Sequence, residues 1–214
     1  MSKHHELGTA VVETLSSSEV QDLMKEYAEI GLDTALSEGL LKDIPLVGTI
    51  VGLAKVGISV SDRILIRKII KFLGPLSDLS DKMRQEMVQK LEADAAYGRK
   101  VGEHLIEILD RLEAHCKPQM IALAFKAYAK GEIDATMLHR LNYAIDRIPS
   151  YEINKVRRIH EMSDEERLEA NMETLQALLN AGLVNVASGF GALVYEPNDL
   201  CEVFLALNLD RTDA

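Results

Sequence analysis

Apolar residues in the middle of the chain recur at helical spacing: Val101, Leu105, Ile108 and Leu112 fall three or four apart, the interval that lines one face of an α-helix. The same period, punctuated by caps and breakers, divides most of the sequence into helices. Ser18 with Gln21 three residues on has the form of a capping box and opens a helix expected to run through Glu38 and stop at Gly39. An apolar run from Ile44 to Val60 follows, with Pro45 suited to a first helical turn. Asp62 to Leu73 alternates basic and aliphatic residues at helical spacing, and Gly74-Pro75 should end it. Ser80 can cap a helix from Asp81 to about Leu91, and a longer one should reach His115, with Glu107 and Arg111 four apart as an exposed ion pair. Pro118 starts a helix ending near Gly131, Asp134 opens the next, which stops before Pro149, and Tyr151 to Met162 supplies one more.

The period changes near the C-terminus. Ser163 and Glu166 form a capping box for a helix to about Asn180. Leu183 to Ala187 and Ala192 to Tyr195 then read as two strands around the turn Ser188-Gly189-Phe190-Gly191, and a closing helix spans about Asp199 to Leu207. The pattern predicts a mainly α fold: a multi-helix bundle with a small C-terminal winged-helix-like β-hairpin. Residues 1–17, largely polar, are expected as a flexible N-terminus, 18–162 as the helical domain and 163–210 as the winged-helix-like subdomain.

Composition supports a packed interior. A chain of 214 residues with 47% hydrophobic content can bury a substantial core without a metal or disulfide staple. Cys116 and Cys201 are far apart and lack metal-ligand spacing, so both are expected as buried thiols in a reducing compartment. No positive and apolar leader precedes residue 18, and a cytoplasmic location, peripheral to the inner membrane, is expected.

Charge draws attention to one segment. Between Ile44 and Pro75, Lys55, Arg63, Arg67, Lys68 and Lys71 stand against Asp62, a balance of +4, so with a formal net charge of −10 the remainder carries −14. As one helix, Ile44 to Val60 would reach about 26 Å at ~1.5 Å per residue, at the short limit of what crosses a bilayer. Lys55 near its centre opposes constitutive insertion. Gly48, Gly52 and Ser59 would fall on one face, with Gly57 nearby, a small-residue stripe that admits close helix approach. Arg63, Arg67 and Lys71 recur every four residues on the next helix, and a basic amphipathic helix beside an apolar one is what a membrane-active hairpin needs. A buried core helix followed by a solvated basic edge is the competing reading.

The stretch Leu40 to Leu73, with Asp43-Ile44-Pro45-Leu46-Val47-Gly48 at its start and Arg67-Lys68-Ile69-Ile70-Lys71-Phe72-Leu73 at its close, resembles bacterial proteins of the Abi-alpha type, associated with abortive infection and phage defence. The Lys126-to-Asp134 helix-turn pattern and the Gly182-to-Tyr195 hairpin are similar too. The resemblance covers most of the chain, consists of hydrophobic patterns and implies no catalytic residues.

Catalytic and cofactor motifs are missing from the sequence. No histidine follows a glutamate by three residues, as a ferritin-like di-iron site requires, and His160-Glu161 lacks the second histidine of the zinc-protease motif. Gly48 to Lys55 lacks the Gly-Lys-Ser/Thr end of a phosphate loop. His104, His115 and His139 have no nucleophile at recognisable spacing, which leaves open a tertiary assembly with Cys116. From Leu168 to Asp210 there is no Lys or Arg, so the wing should pack on protein and not on nucleic acid. The expectation is a non-enzymatic defence effector without cofactor or metal, whose glycine-rich hairpin acts conditionally on membranes. Its contact residues would be Val47, Gly48, Val51, Gly52, Lys55, Arg63, Arg67 and Lys71, facing anionic inner-membrane lipid, a protein partner or another copy. The alternative is a protein–protein adaptor or regulatory module whose apolar helix stays in the core.

Overall fold

The computed structural model describes residues 3–18, 20–22, 24, 34, 40–54, 57–94, 100–113, 116–189 and 192–212. Most of the helix expected from Ser18 to Glu38 lies outside them, as do Lys55 and His115.

Most of the stretch expected as a flexible arm, 1–17, is helical: Lys3–Ser16 form the first helix. Helix α1 (Lys3–Ser16) buries Leu7, Ala10, Val11 and Leu15, an i, i+3, i+4, i+8 stripe that the flanking polar residues conceal. It packs on α2 (Pro45–Leu53), α4 (Asp81–Ala93) and α5 (Val101–Arg111). The crossing with α5 is backbone to backbone: a Cβ added to Gly102 would stand 1.9 Å from the Gly8 carbonyl oxygen. The Thr14 hydroxyl donates to the Ala10 carbonyl at 2.7 Å and accepts from the Leu46 amide at 3.0 Å, so α1 supplies a partner to an amide that the first turn of α2 leaves without one.

The apolar run is not a single helix. α2 ends at Leu53, Ala54 is extended, Gly57 has φ +107°, and α3 (Val60–Leu76) begins afresh. The Ser59 hydroxyl accepts from the Asp62 amide at 3.1 Å while the Asp62 carboxylate accepts from the Ser59 amide at 3.1 Å. This capping box and the left-handed glycine interrupt what apolar composition alone would continue. α3 in turn runs past the expected stop, with Pro75 inside its last turn and Leu76 in the core. Proline there removes only one ladder bond close to the helix end.

Helix α4 is capped by Ser80, whose side chain accepts from the Met83 amide, and α5 buries Val101, Leu105 and Ile108. Arg111 pairs with Asp146 at 3.1 Å, a partner from another helix in place of the expected Glu107. α6 (Lys117–Ala129) packs along α3, where Phe72 and Phe125 meet edge to face at 5.8 Å. α7 (Ala135–Arg147) is capped by Asp134. The single helix expected from Tyr151 to Met162 is a 3₁₀ segment, Ser150–Lys155, followed by α8 (Val156–Glu161). The Ser163/Glu166 capping box forms, but α9 (Asp164–Leu168) is short. Asn171 caps a separate α10 (Met172–Asn180) by accepting from the Thr174 amide at 3.0 Å.

Strands β1 (Val184–Gly189) and β2 (Ala192–Pro197) pair antiparallel, with Val184 opposite Pro197 and Val186 opposite Tyr195. α11 (Asp199–Ala206) closes the wing. The wing is tied to the bundle by bidentate pairs, Arg140 to Asp199 at 2.6 and 2.7 Å and Arg157 to Asp210 at 2.7 and 2.8 Å. One apolar cluster runs from Leu7 through Leu209 and includes Leu183, Tyr195 and Leu200. The architecture is mainly α: a helical bundle with a two-stranded hairpin near the C-terminus.

Candidate functional site

The structure separates the residues expected to act together. Val47 is fully buried with Leu46 and Ile50, where α2 packs on α1. A Cβ on Gly48 would stand 2.6 Å from the Lys42 carbonyl oxygen, so its smallness serves the chain's own preceding turn. Gly52 is exposed with open space around it, Val51 is half-buried, and Ser59 caps the next helix. The expected stripe of Gly48, Gly52 and Ser59 on one helix is therefore absent. α2 is nine residues long, about 14 Å at ~1.5 Å per residue. No helix among the described residues is long and apolar enough to cross a membrane.

The basic edge does form. Val60, Arg63, Ile64, Arg67 and Lys71 lie three or four apart and make one stripe along α3. Arg63 and Arg67 are exposed, Lys71 is half-buried, and Val60 and Ile64 remain 75% and 41% exposed. Lys68 turns inward, where its Nζ donates to the Asp110 carbonyl at 2.6 Å. Burial pushes its pKa down, with the Asp110 charge opposing.

Among the described residues, Lys68 is one of four buried cations that share a task the sequence reading did not foresee: each donates to carbonyls at the C-terminal end of another helix. Lys68 serves α5. Arg84 serves α1 and its following turn, donating to the Leu15 carbonyl at 3.0 Å and the Ser17 carbonyl at 2.6 Å, with a further bond to Leu79 at 2.5 Å. Lys117 reaches the Asp146 carbonyl of α7 at 3.1 Å, and Arg167 bonds the Ile159 and Met162 carbonyls at the end of α8. A helix C-terminus presents unpaired carbonyls and negative partial charge, which a buried cation complements. These charges hold the fold together and are not offered to a ligand.

The candidate nucleophiles and bases are muted. Burial raises the Cys116 thiol pKa and raises that of Cys201 to about 11, which suppresses the reactive thiolate. His104 is exposed; His139 is half-buried and burial lowers its pKa, with Asp94 opposing and His104 adding to the effect. Among the described residues no group of three or more His, Cys, Asp or Glu side chains could hold a metal ion.

Two features remain near the wing. A cleft of about 460 Å³ between α8 and α10 is lined by Lys155, Arg158, Glu166 and Glu169 together with Ile159 and Met162. The hairpin itself carries an apolar face, on which Val184, Val186, Leu193 and Tyr195 project together because strand residues alternate sides. Its base is covered, with Val184 and Tyr195 in the core, but Val186 is 39% and Leu193 58% exposed. Met172, 59% exposed, adjoins the same face, since its sulfur accepts from the Tyr195 hydroxyl at 3.5 Å. Exposed Leu168 sits on α9, which packs along β2. Exposed Glu169 and Glu173 follow Leu168 and Met172 directly in the chain, and Glu165 is exposed on α9. An apolar patch with a polar rim is the form of a protein docking surface. Periodicity identified Leu193 and Val186 as apolar hairpin residues; the exposure of Leu168 and Met172 follows from the break at 169–171, which sequence spacing smoothed over.

No family model, curated protein or solved structure matches the chain.

Proposed function

We propose that this chain is a non-enzymatic docking module that presents the apolar tip of its wing to a protein partner. The observation that carries the reading is the joint exposure of Met172, Val186 and Leu193 on one face whose base is anchored in the core. A rigid base with an uncovered apolar tip is what a preorganised interface requires, since little ordering cost remains on binding. The test places a photo-crosslinking residue at 193 in the expressed full chain. A discrete crosslinked protein product is expected, absent when the residue is placed at Lys82, which is exposed on α4. Loss of any product at 193 refutes the docking reading.

A second reading, favoured by the α3 stripe, is a defence effector of the abortive-infection kind that acts at the inner membrane. Val60 and Ile64 beside Arg63, Arg67 and Lys71 support peripheral attachment to anionic lipid. Insertion of α2 would instead require extracting Val47 and Ile50 from the core, and a nine-residue helix falls well short of a hydrocarbon thickness of ~30 Å. Anionic vesicles should then co-sediment the protein more than neutral ones, with the preference fading as salt rises. Equal binding to both, or none to either, removes this reading.

A further inference from the structure

We infer that the partner for the wing tip is the basic stripe of a second copy, so that the chain assembles head to tail. The inference rests on the docking reading above and names its occupant. The two surfaces are complementary in kind: Met172, Val186 and Leu193 stand exposed with the exposed carboxylates of Glu169 and Glu173 next to Leu168 and Met172 in the chain, and Val60 and Ile64 stand exposed on α3 with Arg63 and Arg67. Apolar tips can bury against each other while Arg63 and Arg67 meet Glu169 and Glu173, which orients the encounter and excludes wing-to-wing and stripe-to-stripe pairing through like-charge repulsion. The charge division along the chain has the same sense, since the wing lacks any Lys or Arg between Leu168 and Asp210 and the segment from 44 to 75 holds a local excess of them. Each copy carries both surfaces and neither is self-complementary, so the contact joins unlike faces and closes as a reciprocal dimer or a ring, or extends as an open filament.

Sedimentation velocity on the full chain, from low micromolar to hundred-micromolar concentration, tests this. The wild type should grow in size with concentration beyond the monomer, and should dissociate as salt rises from about 0.1 to about 1 M, where the screening length drops from ~10 to ~3 Å. The pair Arg63→Glu with Arg67→Glu should weaken assembly by roughly tenfold or more, and Glu169→Lys with Glu173→Lys should do the same. All four side chains are exposed, and far-UV circular dichroism verifies folding. Mixing the two variants should restore assembly, because the reversed stripe of one fits the reversed wing of the other and the two unmodified surfaces still match. A wild type that stays monomeric at every concentration overturns the inference, and so does assembly that neither reversal weakens or that mixing fails to restore. Loss of anionic-vesicle binding in the stripe variant with unchanged oligomeric state overturns it as well. If the crosslink from residue 193 reaches a different protein while the purified chain remains monomeric, self-assembly falls and the docking reading stands. If position 193 yields no crosslink at all, the docking reading falls with it.

Discussion

Arg84 occupies a position that a helical wheel assigns to a leucine. With Met87, Val88 and Leu91 it forms an i, i+3, i+4, i+7 stripe facing the core, and Lys68 interrupts the buried stripe of Leu65, Ile69, Phe72 and Leu76 in the same way. That interruption was the legible signal, and charge counting passed over it because a charge is ordinarily solvated. What sequence spacing could not supply is the partner, since the carbonyls that justify burial belong to helices 42 and 69 residues away. Arg84→Met removes the donors to the Leu15, Ser17 and Leu79 carbonyls and should destabilise the fold by about 3–5 kcal/mol in denaturant unfolding. Lys68→Met, which strands one carbonyl, should cost about 1–3 kcal/mol. The pH response has a separable residue-scale origin. The His139 pKa is depressed from 6.5 by burial, so the unfolded chain binds this proton more readily and stability falls as pH drops below 6.5. The Arg140 hydrogen bonds hold the Asp199 pKa below 3.8; that contribution is present above the unfolded value and is lost only as pH falls through the folded one. His139→Gln should therefore flatten the fall in stability just below pH 6.5 and leave the acid limb unchanged; a profile identical to wild type would remove His139 as the cause.

Glycines distinguish the helices by what lies opposite them. Gly102→Ala drives a methyl into the Gly8 carbonyl, and Gly48→Ala drives one toward the Lys42 carbonyl. Backbone cannot rotate aside as a side chain can, and each should lower stability by about 1–3 kcal/mol. Gly52→Ala meets nothing and should raise it by roughly 0.5–1 kcal/mol through helix propensity. If Gly52→Ala destabilises as much as Gly102→Ala, then α2 makes a close contact that this geometry does not contain. The fold was legible wherever periodicity and caps agreed: Ser80, Asp134 and Pro118 with Gly131 mark helices that the structure places within a residue or two. It was not legible where an apolar run spanned a local stop. Ser59-x-x-Asp62 after Gly57 was present in the sequence, yet the surrounding valines and isoleucines read as continuous helix. The same competition, resolved by Asn171, split the helix expected from Ser163 to Asn180. Of the candidate contact residues, the stripe Arg63, Arg67 and Lys71 was readable from spacing alone, whereas Val47 and Gly48 face neighbours that spacing does not name.

The apolar cluster crosses residue 162 without a gap, joining α1 to the wing, and two bidentate ion pairs reinforce the junction. Equilibrium unfolding should accordingly be one transition, with hydrogen exchange at Leu183 and Val184 limited by the same opening as that of the α6 core. Exchange of the hairpin base well ahead of Ile121 and Phe125 would instead mark 163–210 as an independent unit. The backbone contact between Gly8 and Gly102 has a further consequence in time. During synthesis the first helix emerges with Leu7, Val11 and Leu15 ready for burial, but the α5 surface that receives it is made roughly 90 residues later. At ~5–20 residues per second α2 reaches α1 within seconds, whereas the Gly8–Gly102 crossing waits on the order of 5–20 seconds. The α1–α2 pair therefore forms first, and the backbone-to-backbone crossing with α5 locks it afterwards.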